Sequence, residues 1–139
     1  MGIKKSQYVA LAEFRCGLRK FLMRSEILAK EEGLTPQQHQ LLLVIQGQRN
    51  RDWASIRTIS EALLLEHHSV VQLVDRSIEK GIVTKKRSPN DRRVAQIEVT
   101  ELGLEKLERL ATSHIKELKL LSGNIDLNAL LTLSENLDG

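Results

Sequence analysis

Aromatic residues are scarce in this 139-residue sequence, at 3%. They are Tyr8, Phe14, Phe21 and Trp53, and none follows Trp53. A single-stranded nucleic-acid binder stacks bases on aromatic rings, and the stretch from Ala54 onward offers no such platform. Cys16 is the only cysteine, so no intrachain disulfide can form and no Cys pair is available to bind a metal. The longest apolar runs, such as Leu41 to Ile45, are far shorter than the roughly 20 residues of a membrane span. No apolar segment follows the charged start, Met1 to Lys5, as a secretory leader would require. These absences predict a cytoplasmic protein with no membrane partner. The hydrophobic fraction of 41% is enough for a core, which must be built from Leu, Ile and Val. The length suits one domain, residues 1–139.

The formal net charge is only +3, but it is unevenly spread. Between positions 76 and 93, Arg76, Lys80, Lys85, Lys86, Arg87, Arg92 and Arg93 face only Glu79 and Asp91. The rest of the chain is then mildly acidic. A basic patch on such a body is the footprint of a polyanion binder; the alternative is a solvated hairpin that happens to be basic.

Apolar spacing predicts helices at both ends and a strand-like interlude. Leu11, Phe14, Leu18, Phe21 and Leu28 form a heptad-like stripe on a helix from about Ser6 to Glu32, stopped by Gly33. Thr35-Pro36-Gln37-Gln38 carries a capping box with proline at the first helical position, opening a central, apolar second helix that ends by Gly47. Gln48 to Ala54 reads as a polar loop. Two short helices follow, about Thr58 to Leu64 and His67 to Lys80. The second is expected to turn Val70, Val71, Val74 and Ile78 inward. From Ile82 to Arg87, and again from Val94 to Val99, the period falls to two, with a turn at Ser88-Pro89-Asn90-Asp91. Thr100 then caps a helix to about Leu121, broken at Ser122-Gly123-Asn124, before a Leu-rich helix from Asp126 to Leu137. The predicted fold is mainly α with a small β-hairpin: a winged helix-turn-helix over residues 34–100. Helices in 1–33 and 101–139 flank it. Their stripes, including Leu11, Phe14, Leu18, Leu118, Leu121, Leu127 and Leu130, exceed what so small a unit can cover, and a second copy of the chain is the simplest cover.

Several segments then resemble the MarR (multiple antibiotic resistance regulator) family of winged helix-turn-helix transcriptional regulators. They are Leu34-Thr35-Pro36-Gln37-Gln38, Val74-Asp75-Arg76, Glu79-Lys80-Gly81-Ile82-Val83, Arg87-Ser88-Pro89-Asn90-Asp91-Arg92-Arg93 and Val99-Thr100-Glu101-Leu102-Gly103. The family's Asp-x-Arg wing signature corresponds to Asp91-Arg92-Arg93. The resemblance implies a homodimer on double-stranded DNA at a pseudo-palindromic site, with recognition helices in successive major grooves and wings in adjacent minor grooves. It also implies a transcriptional regulator, usually a repressor and often relieved by a small-molecule effector or an oxidant. The residues themselves offer no Gly-rich phosphate loop, nucleophile elbow or Ser/His/Asp order, so no enzyme and no cofactor are expected.

Within that frame, His67, His68, Ser69 and Gln72 occupy the exposed start of the recognition helix, where side chains reach base edges. Arg93 is expected in the minor groove, with Lys86, Arg87 and Arg92 on phosphates. Asp91 is expected to orient the wing by pairing with an arginine. Arg76 is expected either on a phosphate or in an ion pair with Asp75 or the wing. Cys16, between Arg15 and Arg19, is either a small apolar residue or an acidified thiol. His39, His67, His68 and His114 lack metal-ligand spacing. The rival reading is a winged-helix adaptor that binds protein instead of DNA. The basic wing argues against it.

Overall fold

The computed structural model describes residues 2–124, with side chains through residue 120. The elements are α1 (Lys5–Glu31), α2 (Pro36–Gln46), β1 (Trp53–Ala54), α3 (Ile56–Leu63), α4 (His67–Glu79), β2 (Val83–Arg87), β3 (Ala95–Val99) and α5 (Glu101–Asn124). The predicted helix from Asp126 to Leu137, with Leu127 and Leu130, lies outside the described residues. Contacts divide the chain into two compact units, residues 28–110 and residues 1–27 with 111–139.

In the first of these units, local chemistry sets the element ends. Thr35 Oγ1 accepts from Gln38 N–H at 3.1 Å, and Gln38 Oε1 accepts from Thr35 N–H at 3.1 Å, so the capping box at the start of α2 is complete. Two glycines close helices in the left-handed region. After α1, Gly33 has φ 75° and Leu34 N–H reaches back to Ala29 O; after α4, Gly81 has φ 79° and Ile82 N–H reaches Ser77 O. Each is a six-to-one closure that satisfies carbonyls a helix end would leave open.

The core gathers Leu41, Leu42 and Ile45 from α2, Ile59 from α3, Val70, Leu73 and Val74 from α4, and Val83 and Ile97 from the sheet. On α4 the buried stripe is Val70, Leu73, Val74 and Ser77, at the three- and four-residue spacing of one helix face. Val71 is half-buried and Ile78 exposed, contrary to the sequence expectation, which followed hydrophobicity where the period chose the face. Ser77 is tolerated inside because its hydroxyl donates to Leu73 O at 2.7 Å. Leu43 of the apolar α2 run is likewise exposed.

The sheet has three strands, ordered β1-β3-β2, and both pairings are antiparallel. β1 falls in the stretch read as a loop, where two residues are too few for a period to show. Trp53 lies opposite Glu98 and Ala54 opposite Ile97. β2 and β3 form the expected hairpin, with Val83 opposite Val99, Lys85 opposite Ile97 and Arg87 opposite Ala95. Thr100 joins β3 to α5. Its Oγ1 accepts from Gly103 N–H at 3.1 Å and donates to Gly81 O at 2.6 Å. α5 continues through Ser122-Gly123-Asn124, where a break was expected.

The C-terminal end of α1 is held by three cations. Lys80 donates to Gly33 O, Lys106 donates to Glu32 O at 2.5 Å, and Arg109 Nη2 donates to the Glu32 carboxylate at 2.8 Å. Cations suit the negative end of a helix dipole.

In the other unit, α1 and α5 meet through an edge-on contact of Phe21 and His114, whose ring centroids lie 5.4 Å apart. Arg24 and Glu117 add an ion pair at 3.6 Å. Leu11, Phe14, Leu18 and Leu118 are all exposed, as are Leu22, Met23, Ile27 and Ile115. Leu121 lies on α5, its side chain outside the described residues. Cys16 is exposed in the single chain.

Two outcomes follow for stability. A Cβ on Gly103 would stand 2.3 Å from Ile82 O and 2.7 Å from Val99 Cγ1. Gly103→Ala is expected to destabilise by about 1–3 kcal/mol through overpacking, read as a lower Tm in thermal denaturation. The second concerns Glu32, whose carboxyl is held below the usual carboxylate range, chiefly by hydrogen bonds from Arg109. A depressed folded pKa gives stability that is present above the unfolded pKa and lost as pH falls through the folded one. Arg109→Gln is expected to lower Tm slightly at neutral pH, and the gap between parent and variant to close in acid. An equal gap at both pH values would refute this account of the Glu32–Arg109 pair.

Candidate nucleic-acid interface

The interface candidates sit on α4 and the β2–β3 hairpin, both in the unit spanning residues 28–110. α3 leads into α4. Ser55 caps α3, accepting from Thr58 N–H at 3.1 Å. α3 ends at Leu64, which is left-handed at φ 56° and 90% exposed. Leucine pays a steric cost in that region. Leu65 N–H reaches Ser60 O at 3.2 Å, and the Ser60 hydroxyl donates to Leu65 O at 2.5 Å, so the tight turn is fixed on both sides.

At the start of α4, the N-cap residue Glu66 makes no side-chain capping bond. Its carboxylate lies 3.4 Å from His68 Nδ1 instead. The first amides of α4 are thereby left without a side-chain acceptor, at the positive end of the helix dipole. His67, His68, Gln72 and Arg76 are exposed and Ser69 is half-buried. Arg76 forms no ion pair with Asp75 or the wing among the described residues, so the internal pair considered for it is not made. It stands in solvent on the same helix as Gln72.

The wing tip is locked by its own polar groups. Ser88 N–H donates to Val94 O at 3.0 Å, and the Ser88 hydroxyl oxygen accepts from Asn90 N–H at 3.3 Å. Asp91 pairs with Arg93. Its Oδ1 accepts from the backbone N–H of Arg93 at 3.0 Å and from Arg93 Nε at 3.1 Å, and its Oδ2 from Nη2 at 3.4 Å. The Arg93 side chain first, and its backbone second, hold the Asp91 carboxyl below the usual range. Arg93 is nevertheless 91% exposed, so its outer edge stays open to a ligand.

Arg87 and Arg92 are exposed as expected. The Lys86 Nζ lies 2.8 Å from Glu98 Oε2 across the hairpin. The sequence reading also passed over Arg51, whose guanidinium lies 4.4 Å above the Trp53 ring, a cation–π contact beside β1. An arginine two residues before a tryptophan was its only sequence signal. Among the described residues no cluster of His, Cys, Asp and Glu could hold a metal ion. No helix there is long and apolar enough to cross a membrane.

A helix-turn-helix followed by a hairpin that packs on it, with a helix after the hairpin, defines the winged helix-turn-helix class. The MarR family model matches residues 32–94. The regulator BilQ of Clostridioides difficile is 30% identical over 108 residues, covering 77% of this chain and 71% of that protein. The repressor IacR of Pseudomonas putida is 37% identical over 57 residues, or 41% of this chain and 34% of IacR. The crystal structure of CouR from Rhodococcus jostii, bound to p-coumaroyl-CoA, superimposes with a TM-score of 0.72 at 20% identity. That match covers 98% of this chain and 93% of CouR, a likeness of fold. The chain belongs to the MarR family, whose members are transcriptional regulators and not enzymes. The match to IacR spans only about a third of that relative's length.

For the wing tip, Asp91→Asn is expected to release Arg93 while leaving Tm nearly unchanged, since an exposed pair adds little stability. Relaxation of the Arg93 Nε–H group by NMR checks this. Unchanged order at Nε would mean that Asp91 does not fix the arginine.

Proposed function

We propose that the chain is a transcriptional repressor that binds a pseudo-palindromic duplex DNA site as a homodimer. The observation that carries this reading is the pairing of two features on one unit. One is an exposed polar face at the start of α4; the other is a wing whose arginine is aimed by an aspartate. His67, His68, Ser69 and Gln72 meet base edges in the major groove, while Arg93 enters the minor groove, where a narrow groove concentrates negative potential. Arg76, Arg87 and Arg92 meet phosphates, which fix register without reading sequence. The uncapped start of α4 adds amides suited to an anionic oxygen.

Dimerisation is supported by the exposed apolar side chains of Leu11, Phe14, Leu18 and Leu118. So many exposed large hydrophobic side chains on α1 and α5 mark an interaction surface. The name of IacR supports repression. The ligand in CouR supports control by a small-molecule effector, which releases DNA by changing the spacing of the two recognition helices.

The test is binding of the purified protein to duplex DNA across a salt series, with its mass in solution measured alongside. A dimer whose affinity falls steeply with salt is expected. A dimer without salt-dependent binding would favour a protein-binding adaptor, and a monomer would remove the dimer from the reading. Arg93→Ala is expected to weaken duplex binding with mass and Tm unchanged. Full affinity in that variant at physiological salt would refute the wing assignment.

A further inference from the structure

The pleat of β2 divides the wing's cations between two faces. Lys85, Lys86 and Arg87 are consecutive, and successive side chains of a strand point to opposite sides. Lys85 lies opposite Ile97 and Arg87 opposite Ala95, whereas Lys86 lies opposite Gln96. Residues directly opposite one another share a face. Ile97 and Ala95 belong to the core cluster that contains Val70, Leu73 and Val74 of α4. Lys85 and Arg87 therefore extend the face of the wing that packs on the helical core, beyond the point where buried Val83 closes it. Lys86 extends the outer face, with Thr84, Gln96 and Glu98.

The two faces also differ in charge. On the outer face, Glu98 holds the Lys86 ammonium at 2.8 Å, and Glu98 lies opposite Trp53, over which Arg51 stacks. On the inner face, Lys85 and Arg87 are exposed, and neither has an ion pair among the described residues. A phosphate contact strengthens binding by releasing a condensed counterion. A lysine drawn by Glu98 onto the face turned away from the core adds little to that release. Two unpaired cations on the core-packed face add fully.

We infer that Lys85 and Arg87 are the β2 residues that hold duplex phosphates, and that Lys86 instead braces the outer face of the wing through Glu98. The assignment rests on the DNA reading above and adds Lys85 to it.

The experiment measures binding to mixed-sequence duplex DNA over a salt series for the full chain and for Lys85→Gln, Lys86→Gln and Arg87→Gln. All three sites are exposed, and thermal melting confirms that each variant is folded. Lys85→Gln and Arg87→Gln are each expected to flatten the slope of log affinity against log salt by about 0.9, the share of one phosphate contact. Lys86→Gln is expected to keep the parent slope, and Lys85→Arg to restore it. An unchanged slope in Lys85→Gln, or a loss in Lys86→Gln equal to that in Lys85→Gln, would overturn the assignment. A parent protein with no salt-dependent duplex binding would overturn the DNA reading first and this assignment with it.

Discussion

The hydroxyl of Thr100 lies where α4, both wing strands and α5 come together. It donates to Gly81 O at 2.6 Å and accepts from Gly103 N–H at 3.1 Å, while the backbone N–H of Thr100 reaches Ile82 O at 3.0 Å. Each such bond adds only about 0.5–1.5 kcal/mol net. Their value lies in what they tie together. Gly81 turns the chain out of α4 in a left-handed conformation, and Gly103 has no side chain to keep α5 away from the Ile82 carbonyl. Recognition helix and wing are thus set against each other by one short stretch of backbone. The proposed contacts to adjacent grooves would need a fixed separation between the two surfaces, and this junction supplies one.

The polar chemistry of the wing positions side chains more than it stabilises the fold. Asp91 and Arg93 are both at the surface, where an ion pair is screened and adds little to folding. The same contacts restrict the torsions of a long side chain and leave it pointing outward. A pre-set arginine loses less conformational freedom on binding than a free one. Glu98 does something different for Lys86, holding it on the face of the wing turned away from the core. α4 itself begins without a side-chain cap, a deficit that a bound anion can fill as well as water does.

Much of this could be read from the residues in order. Thr35-Pro36-Gln37-Gln38 announced α2 because a capping box is made by neighbours within one turn. Gly33 and Gly81 marked helix ends for the same local reason, and the alternation from Val94 to Val99 marked β3. The aspartate and arginine of the wing were legible only through the resemblance to the family's Asp-x-Arg signature; the structure shows them binding each other directly. What the sequence left hidden was non-local. β1 exists only because Trp53 and Ala54 find Glu98 and Ile97, more than forty positions later. Helix α5 passes through Ser122-Gly123-Asn124, although those residues are weak helix formers taken alone. The inward face of α4 followed the helical period, so Leu73 and Ser77 went in where Val71 and Ile78 had been expected.

Composition and spacing by themselves determined the class of fold, the basic character of the hairpin and the identity of its tip. All of these arise from contacts between residues close in sequence or from a repeat that one element carries alone. Only the tertiary structure decided which cations remain open. Lys85, Lys86 and Arg87 are alike in charge and adjacent in sequence. Their surroundings separate them, because the register of β3 puts Glu98 within reach of Lys86 and the buried side chains of Ile97 and Ala95 beside the other two. An ion pair depends on where two chain segments lie in space, and that is fixed only once the sheet has formed.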